Sequence, residues 1–146
     1  MPIKQQSPRE AFDILKANPD ALYLDVRTEG EFALGHPAGA INIPVVFIKG
    51  PGQMEVNPDF LLIAEKLIPR NKTLVVGCQS GVRSMRACEM LEVAGYSNLT
   101  NVVGGFGGRR DQSGSVVEPG WRDSGLPVST DTGEASYQSL RAKAGL

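Results

Sequence analysis

The chain has 146 residues, 41% hydrophobic and 21% charged, the makeup of one ordinary globular domain with a single sizeable core. Its 15 Lys and Arg against 16 Asp and Glu leave a net charge of -1, which offers no field for nucleic acid or an anionic membrane. Two cysteines, Cys78 and Cys88, with the single histidine His36, exclude a disulfide scaffold and show no metal-ligand spacing. The N-terminal stretch lacks the apolar segment of a secretory signal, and no run approaches the ~20 apolar residues of a membrane span. A cytoplasmic protein with reduced thiols is the expectation.

Ser7-Pro8-Arg9-Glu10 is a capping box with proline at the first helical position. It predicts a helix over residues 8–17 with Ala11, Phe12 and Leu15 on the apolar face, ended by Asn18-Pro19-Asp20. Residues 21–26 follow as a strand with little polar content before Asp25, which points to burial on both faces of a parallel sheet. Thr28-Glu29-Gly30-Glu31 is a second capping box and starts a short helix through Leu34. A turn carries His36 and Pro37, and residues 40–44 form a short edge strand ending at Pro44. Gly50-Pro51-Gly52 reads as loop, and Asn57-Pro58-Asp59 opens a helix with Phe60, Leu61, Ala64 and Leu67 at helical spacing.

Thr73-Leu74-Val75-Val76-Gly77 is a buried strand that stops at Cys78, and a polar turn carrying Gly81 leads into a helix over residues 83–94. Cys78 therefore lies at a strand's carboxyl end, where the ligand crevice of an open α/β sheet forms and where the next helix presents unpaired N–H groups. On that helix Ala87, Cys88, Leu91 and Ala94 share the inward face, so Cys88 reads as a packing residue. Residues 99–103 are the last clear strand. The glycine-rich stretch from 104 to 115 reads as a long loop near the site, and Trp121 with Leu126-Pro127-Val128 brings the chain back to the body. A weak helix is expected within residues 134–144.

Strands alternating with helices predict a doubly wound α/β domain. Cys78-Gln79-Ser80-Gly81-Val82-Arg83-Ser84 then makes the chain resemble a single-domain rhodanese, the sulfurtransferase family. Leu24-Asp25-Val26-Arg27, Gly35-His36, Gly39 through Pro44, and Val103-Gly104-Gly105 support the likeness and occur in the family's order. The resemblance implies one rhodanese-like domain over residues 1–128, a central, mainly parallel five-stranded sheet with helices on both faces, and a C-terminal tail over 129–146. It implies no organic cofactor and no metal.

By the same resemblance Cys78 is the sulfur-accepting nucleophile, and Gln79, Ser80, Gly81, Val82, Arg83 and Ser84 cradle its persulfide. The implied donor is a small sulfur-containing anion such as thiosulfate, and the acceptor is cyanide, a thiol or a protein. The physical needs agree: a helix N-terminus and a cation favour thiolate over thiol, and converging N–H groups suit an anionic persulfide. Arg83 is placed to attract the donor and stabilise departing sulfite. Asp25 and Arg27 are expected to organise the crevice, with Arg27 and Glu31, four apart, as a candidate ion pair. His36 reads either as a general base or, more plainly, as a turn residue held extended by Pro37. Arg109 and Arg110 are the one local basic cluster, placed to draw in an anion or merely solvated.

Two departures from the family pattern bear on the choice of donor and acceptor. His36 is followed directly by Pro37, and residues 107–120 intervene before Trp121. Three alternatives stand against the sulfurtransferase reading. A related cysteine-arginine phosphatase or arsenate reductase needs a longer loop than the four residues separating Cys78 from Arg83. A cysteine protease or acyl transferase needs a Cys-His arrangement that no motif around His36 provides. A persulfide carrier serving a dedicated protein partner would keep the same nucleophile.

Overall fold

The computed structural model of the chain describes residues 3–146, so Met1 and Pro2 of the N-terminal stretch lie outside the described residues. The first element is a strand, β1 (Lys4–Gln6), followed by α1 (Pro8–Ala17). Both halves of the first capping box form: Glu10 N donates to Ser7 Oγ at 3.2 Å and Ser7 N donates to Glu10 Oε1 at 2.9 Å. β2 (Leu22–Asp25) leads to α2 (Glu29–Leu34), whose Thr28 and Glu31 close the second box. The chain continues through β3 (His36–Pro37), β4 (Ile41–Asn42), β5 (Val46–Gly50), β6 (Gln53–Val56) and α3 (Phe60–Leu67). The site-bearing unit is β7 (Leu74–Gly77), α4 (Val82–Val93) and β8 (Leu99–Val102). Beyond it lie β9 (Arg109–Arg110), β10 (Val116–Glu118), β11 (Val128–Ser129) and α5 (Tyr137–Lys143).

Five strands build the central sheet in the order β1-β8-β7-β2-β4, all parallel. The register sets Leu24 against Val76 and Asp25 against Gly77, so Asp25 and Cys78 emerge at the same carboxyl edge. Side chains alternate between two apolar layers, as strand geometry requires. Tyr23, Val75 and Val102 pack with Ala11 of α1, Phe32 of α2, Phe106 and Trp121. Leu24, Leu74 and Val76 pack on the opposite face with Ile63 and Ala64 of α3 and with Ala87, Cys88 and Leu91 of α4. The sheet is buried on both faces as its sequence predicts.

Three local expectations are corrected. The segment around Gly50-Pro51-Gly52 is the turn of an antiparallel hairpin, β5 with β6, rather than loop. The stretch from 104 to 115 is a tight glycine turn continuing into a second hairpin, β9 with β10. The edge strand within residues 40–44 pairs only over Ile41–Asn42. β1 is an addition that no periodicity signals, since Lys4-Gln5-Gln6 is a polar edge that pairs with β8 through its backbone, supported by the Gln5 side chain accepting from Asn101.

The final helix packs onto the core. Tyr137, Leu140 and Ala144 are buried against the α3–α4 layer. Asn57 Nδ2 donates to Tyr137 Oη at 3.0 Å, Arg141 pairs with Asp59 at 3.1 Å, and Lys66 Nζ donates to Ala144 O at 3.0 Å. Seven residues cannot hold a helix alone in water, so this docking is what makes α5 helical.

Candidate active site

β7 ends by delivering Cys78 to a position where only 1% of its surface is exposed. The chain then turns through Gln79 and Ser80 to Gly81, whose φ of +105° is the left-handed geometry that glycine adopts without strain. That turn brings Gly81 N within 3.0 Å of Cys78 Sγ. Gly81 is also the N-cap of α4 and supplies no side-chain acceptor, so the first-turn N–H groups of a twelve-residue helix stay free of side-chain partners. Buried Ser84 completes the pocket from below: its hydroxyl lies 3.4 Å from Sγ and donates to Asn101 Oδ1 at 2.5 Å. Asn101 in turn donates to Gln5 Oε1 at 2.9 Å, which ties β1 to the loop.

The glycine turn after β8 holds the outer side of the loop. Phe106 N donates to Cys78 O at 2.8 Å and Gly107 N donates to Gln79 O at 2.9 Å. Contact is so close that a Cβ on Gly105 would overlap the Cys78 carbonyl and stand 2.7 Å from Gln79 C. The double glycine thus braces the cysteine loop, backbone against backbone.

The charged residues sort into closed pairs. Arg27, 2% exposed, holds Asp25 through Nε at 3.0 Å and Nη2 at 2.8 Å, reaches Gly35 O at 2.7 Å and Gln79 Oε1 at 3.2 Å, and stacks over Phe106. Arg83 meets Glu31 instead, Nη1 to Oε1 at 2.8 Å and Nη2 to Oε2 at 2.9 Å. The expected Arg27–Glu31 pair is therefore corrected: Asp25 takes Arg27, and Glu31 reaches across to α4. Burial opposes ionisation of Glu31, but the hydrogen bonds and charge of Arg83, with those of Thr28, outweigh it and hold the carboxyl at about 2. The same fork, led by the Glu31 hydrogen bond, raises the Arg83 value.

The remaining candidates separate. His36 is 2% exposed, donates from Nδ1 to Phe32 O at 2.7 Å and lies flat on the Phe32 ring at 3.6 Å, the geometry of a packing residue. Arg109 pairs with Glu118 across the second hairpin at 2.6 Å, while Arg110 reaches Gly114 O near the exposed end. Cys88 is fully buried, and burial above all pushes its thiol up to about 12, with Cys78, Glu89 and Glu92 adding to the effect.

Two openings flank the loop. A crevice of about 290 Å³ is bordered by Gln79, Arg27, Glu31, Gly35, Phe106 and Arg122. On the other side a groove of about 780 Å³ runs past Ser80, Gly81 and Val82 toward Met85, Arg109 and Glu118. Arg122, directly after Trp121, borders the crevice although nothing local in the sequence links it to Cys78.

Fold and site together define an open α/β protein with a buried free cysteine in a tight loop at a strand's carboxyl end, its sulfur met by a backbone N–H. The chain belongs to the Rhodanese-like domain family, whose sequence profile matches residues 7–109. It is 39% identical over 106 residues to thiosulfate sulfurtransferase 16, chloroplastic, of Arabidopsis thaliana, covering 73% of this chain and 78% of that one. It is also 39% identical over 84 residues to senescence-associated protein DIN1 of Raphanus sativus, spanning 58% of this chain but only 45% of the relative. Among solved structures, the crystal structure of Rv0390 from M. tuberculosis superposes with a TM-score of 0.75 at 30% identity, covering 90% of this chain and all of that one.

Proposed function

We propose that the protein is a sulfurtransferase that moves sulfane sulfur through a Cys78 persulfide. The observation that carries this reading is the Gly81 N–H at 3.0 Å from Cys78 Sγ, at the head of a helix whose first turn has no side-chain cap. Such a cradle suits a negatively charged sulfur, above all the anionic persulfide that Cys78 would carry.

The Cys78 thiolate attacks the outer sulfur of thiosulfate. A new S–S bond forms, the old bond to the SO₃ group breaks, and sulfite leaves with the electron pair. The terminal persulfide sulfur, one bond beyond Sγ, is the atom that a thiolate or cyanide attacks. That step yields the acceptor persulfide or thiocyanate and regenerates the thiolate. The loop N–H groups stabilise charge in both steps. The chemistry suits a reducing compartment such as the cytoplasm, which keeps Cys78 free.

A second reading, a persulfide carrier for one protein partner, is favoured by the 780 Å³ groove beside the loop, far roomier than a small acceptor needs. Thiosulfate treatment followed by intact-mass measurement should show one added sulfur on the wild type and none on Cys78→Ser, with the variant's thermal unfolding unchanged. Sulfur transfer by Cys78→Ser would refute the role of this residue. A loaded protein that neither cyanide nor small thiols discharge would select the carrier.

A further inference from the structure

We propose that Arg122 is the residue that reads the anionic group of the sulfur donor. This deepens the proposed sulfurtransferase reading and rests on it for the donor's chemistry.

Three guanidinium groups border the crevice beside Gln79 or the pair that closes it, and two of them are already neutralised. Arg27 is saturated by Asp25, Gly35 and Gln79, and it is nearly inaccessible. Arg83 is locked in a fork on Glu31. Arg122 is exposed, and among the described residues it meets no carboxylate. The neighbouring Asp123 is engaged elsewhere, accepting from Gly120 N at 3.4 Å.

Arg122 is nonetheless well fixed relative to the nucleophile. Its backbone N donates to Phe106 O at 3.1 Å, and Phe106 N donates to Cys78 O at 2.8 Å, so two hydrogen bonds connect it to the cysteine. Its guanidinium lies over the Phe106 ring, 5.5 Å from the centroid, on the crevice that Gln79 borders. A guanidinium laid on an aromatic face keeps its N–H edge available for a planar or tetrahedral oxyanion. The terminal SO₃ group of thiosulfate carries the donor's negative oxygens, and Arg122 supplies, among the described residues, the one uncompensated positive charge at this mouth. Arg122 is thus a positioning residue for the donor, selecting by charge.

The test compares Arg122→Glu, Arg122→Ala and Arg122→Lys with two donors of different charge, dianionic thiosulfate and monoanionic benzenethiosulfonate, which releases a sulfinate in place of sulfite. The expected result is a rise of roughly tenfold in KM for thiosulfate in Arg122→Glu, a smaller rise for the monoanion, retention near wild type in Arg122→Lys, and kcat within about twofold throughout. A merely structural role would move both donors alike and would shift thermal unfolding. Equal KM values for wild type and Arg122→Glu overturn the proposal.

A binding arm keeps this result separate from the fate of the sulfurtransferase reading. Thiosulfate affinity is measured by calorimetry on Cys78→Ser, with and without Arg122→Glu. If the wild type loads no sulfur yet Arg122→Glu weakens thiosulfate binding, the anion site stands and the sulfurtransferase reading falls. Binding that is absent or indifferent to Arg122 overturns the proposal whatever the wild type does.

Discussion

Arg83 and Glu31 are joined by two parallel hydrogen bonds that fasten the first turn of α4 to α2. The fork closes one flank of the cysteine loop, and its partners come from elements 52 residues apart. It neutralises the arginine that the cysteine motif itself supplies.

Replacing Glu31 with Gln should lower stability by about 1 kcal/mol at neutral pH, a modest figure because the pair is partly solvated. The folded Glu31 carboxyl sits at about 2, below its ordinary 4.5. Its stabilisation is therefore present above pH 4.5 and is lost as pH falls toward 2. Urea titrations of wild type and Glu31→Gln should converge over that window. A gap as wide at pH 2 as at pH 7 would show that the carboxyl's charge is not what matters.

Cys88 should be chemically silent. With its thiol pushed up to about 12 and its side chain fully buried, a native sample alkylated at pH 8 should gain one adduct, on Cys78. Cys88→Ala should cost on the order of 1–2 kcal/mol through lost packing and leave sulfur loading intact. A second native adduct, or a loss of loading in the Ala variant, would point to a resolving thiol.

Gly105→Ala tests the brace. The residue has φ +57°, and a Cβ there would overlap the Cys78 carbonyl, which is backbone and cannot swing aside. Because Phe106 must also keep its bond to Cys78 O, the added methyl should displace the loop. The expected outcome is a loss of roughly tenfold or more in kcat/KM with secondary structure retained by circular dichroism. An unaffected variant would mean that the loop holds its shape unaided.

Removing residues 130–146 should destabilise the whole domain. Tyr137 and Leu140 each contribute about 1.5–3 kcal/mol of apolar burial, so the loss is on the order of 3–6 kcal/mol, or about 10 °C in Tm. Thermal unfolding of the truncated chain measures it directly. An unchanged Tm would make the last helix a passive appendage.

The parts of the fold that were legible in the sequence are those with local causes. Both capping boxes, the apolar runs of β2 and β7, and the helix after Cys78 follow from residues a few positions apart. β1 was not legible because Lys4-Gln5-Gln6 pairs through its backbone against a partner some 96 positions away. In the site, the cysteine, the glycine turn and the helix N-terminus could be read from spacing. Which carboxylate each arginine would take could not, since Glu31 is nearer in sequence to Arg27 and nearer in space to Arg83. Asp25, two residues before Arg27, takes its guanidinium, while Arg83 at the start of α4 reaches Glu31 in the first turn of α2 across the carboxyl edge of the sheet.

The second hairpin leaves the body at Gly107-Gly108 and re-enters at Gly120, and these glycines touch so closely that a Cβ on Gly120 would collide with Gly108 N and stand 2.7 Å from Gly107 C. The excursion between them begins and ends at one point, so its length is uncoupled from the geometry of the cysteine loop. It is a grafting position: foreign sequence can be spliced between Arg110 and Val116 beside the larger groove, changing that groove's wall while leaving Cys78 where it is.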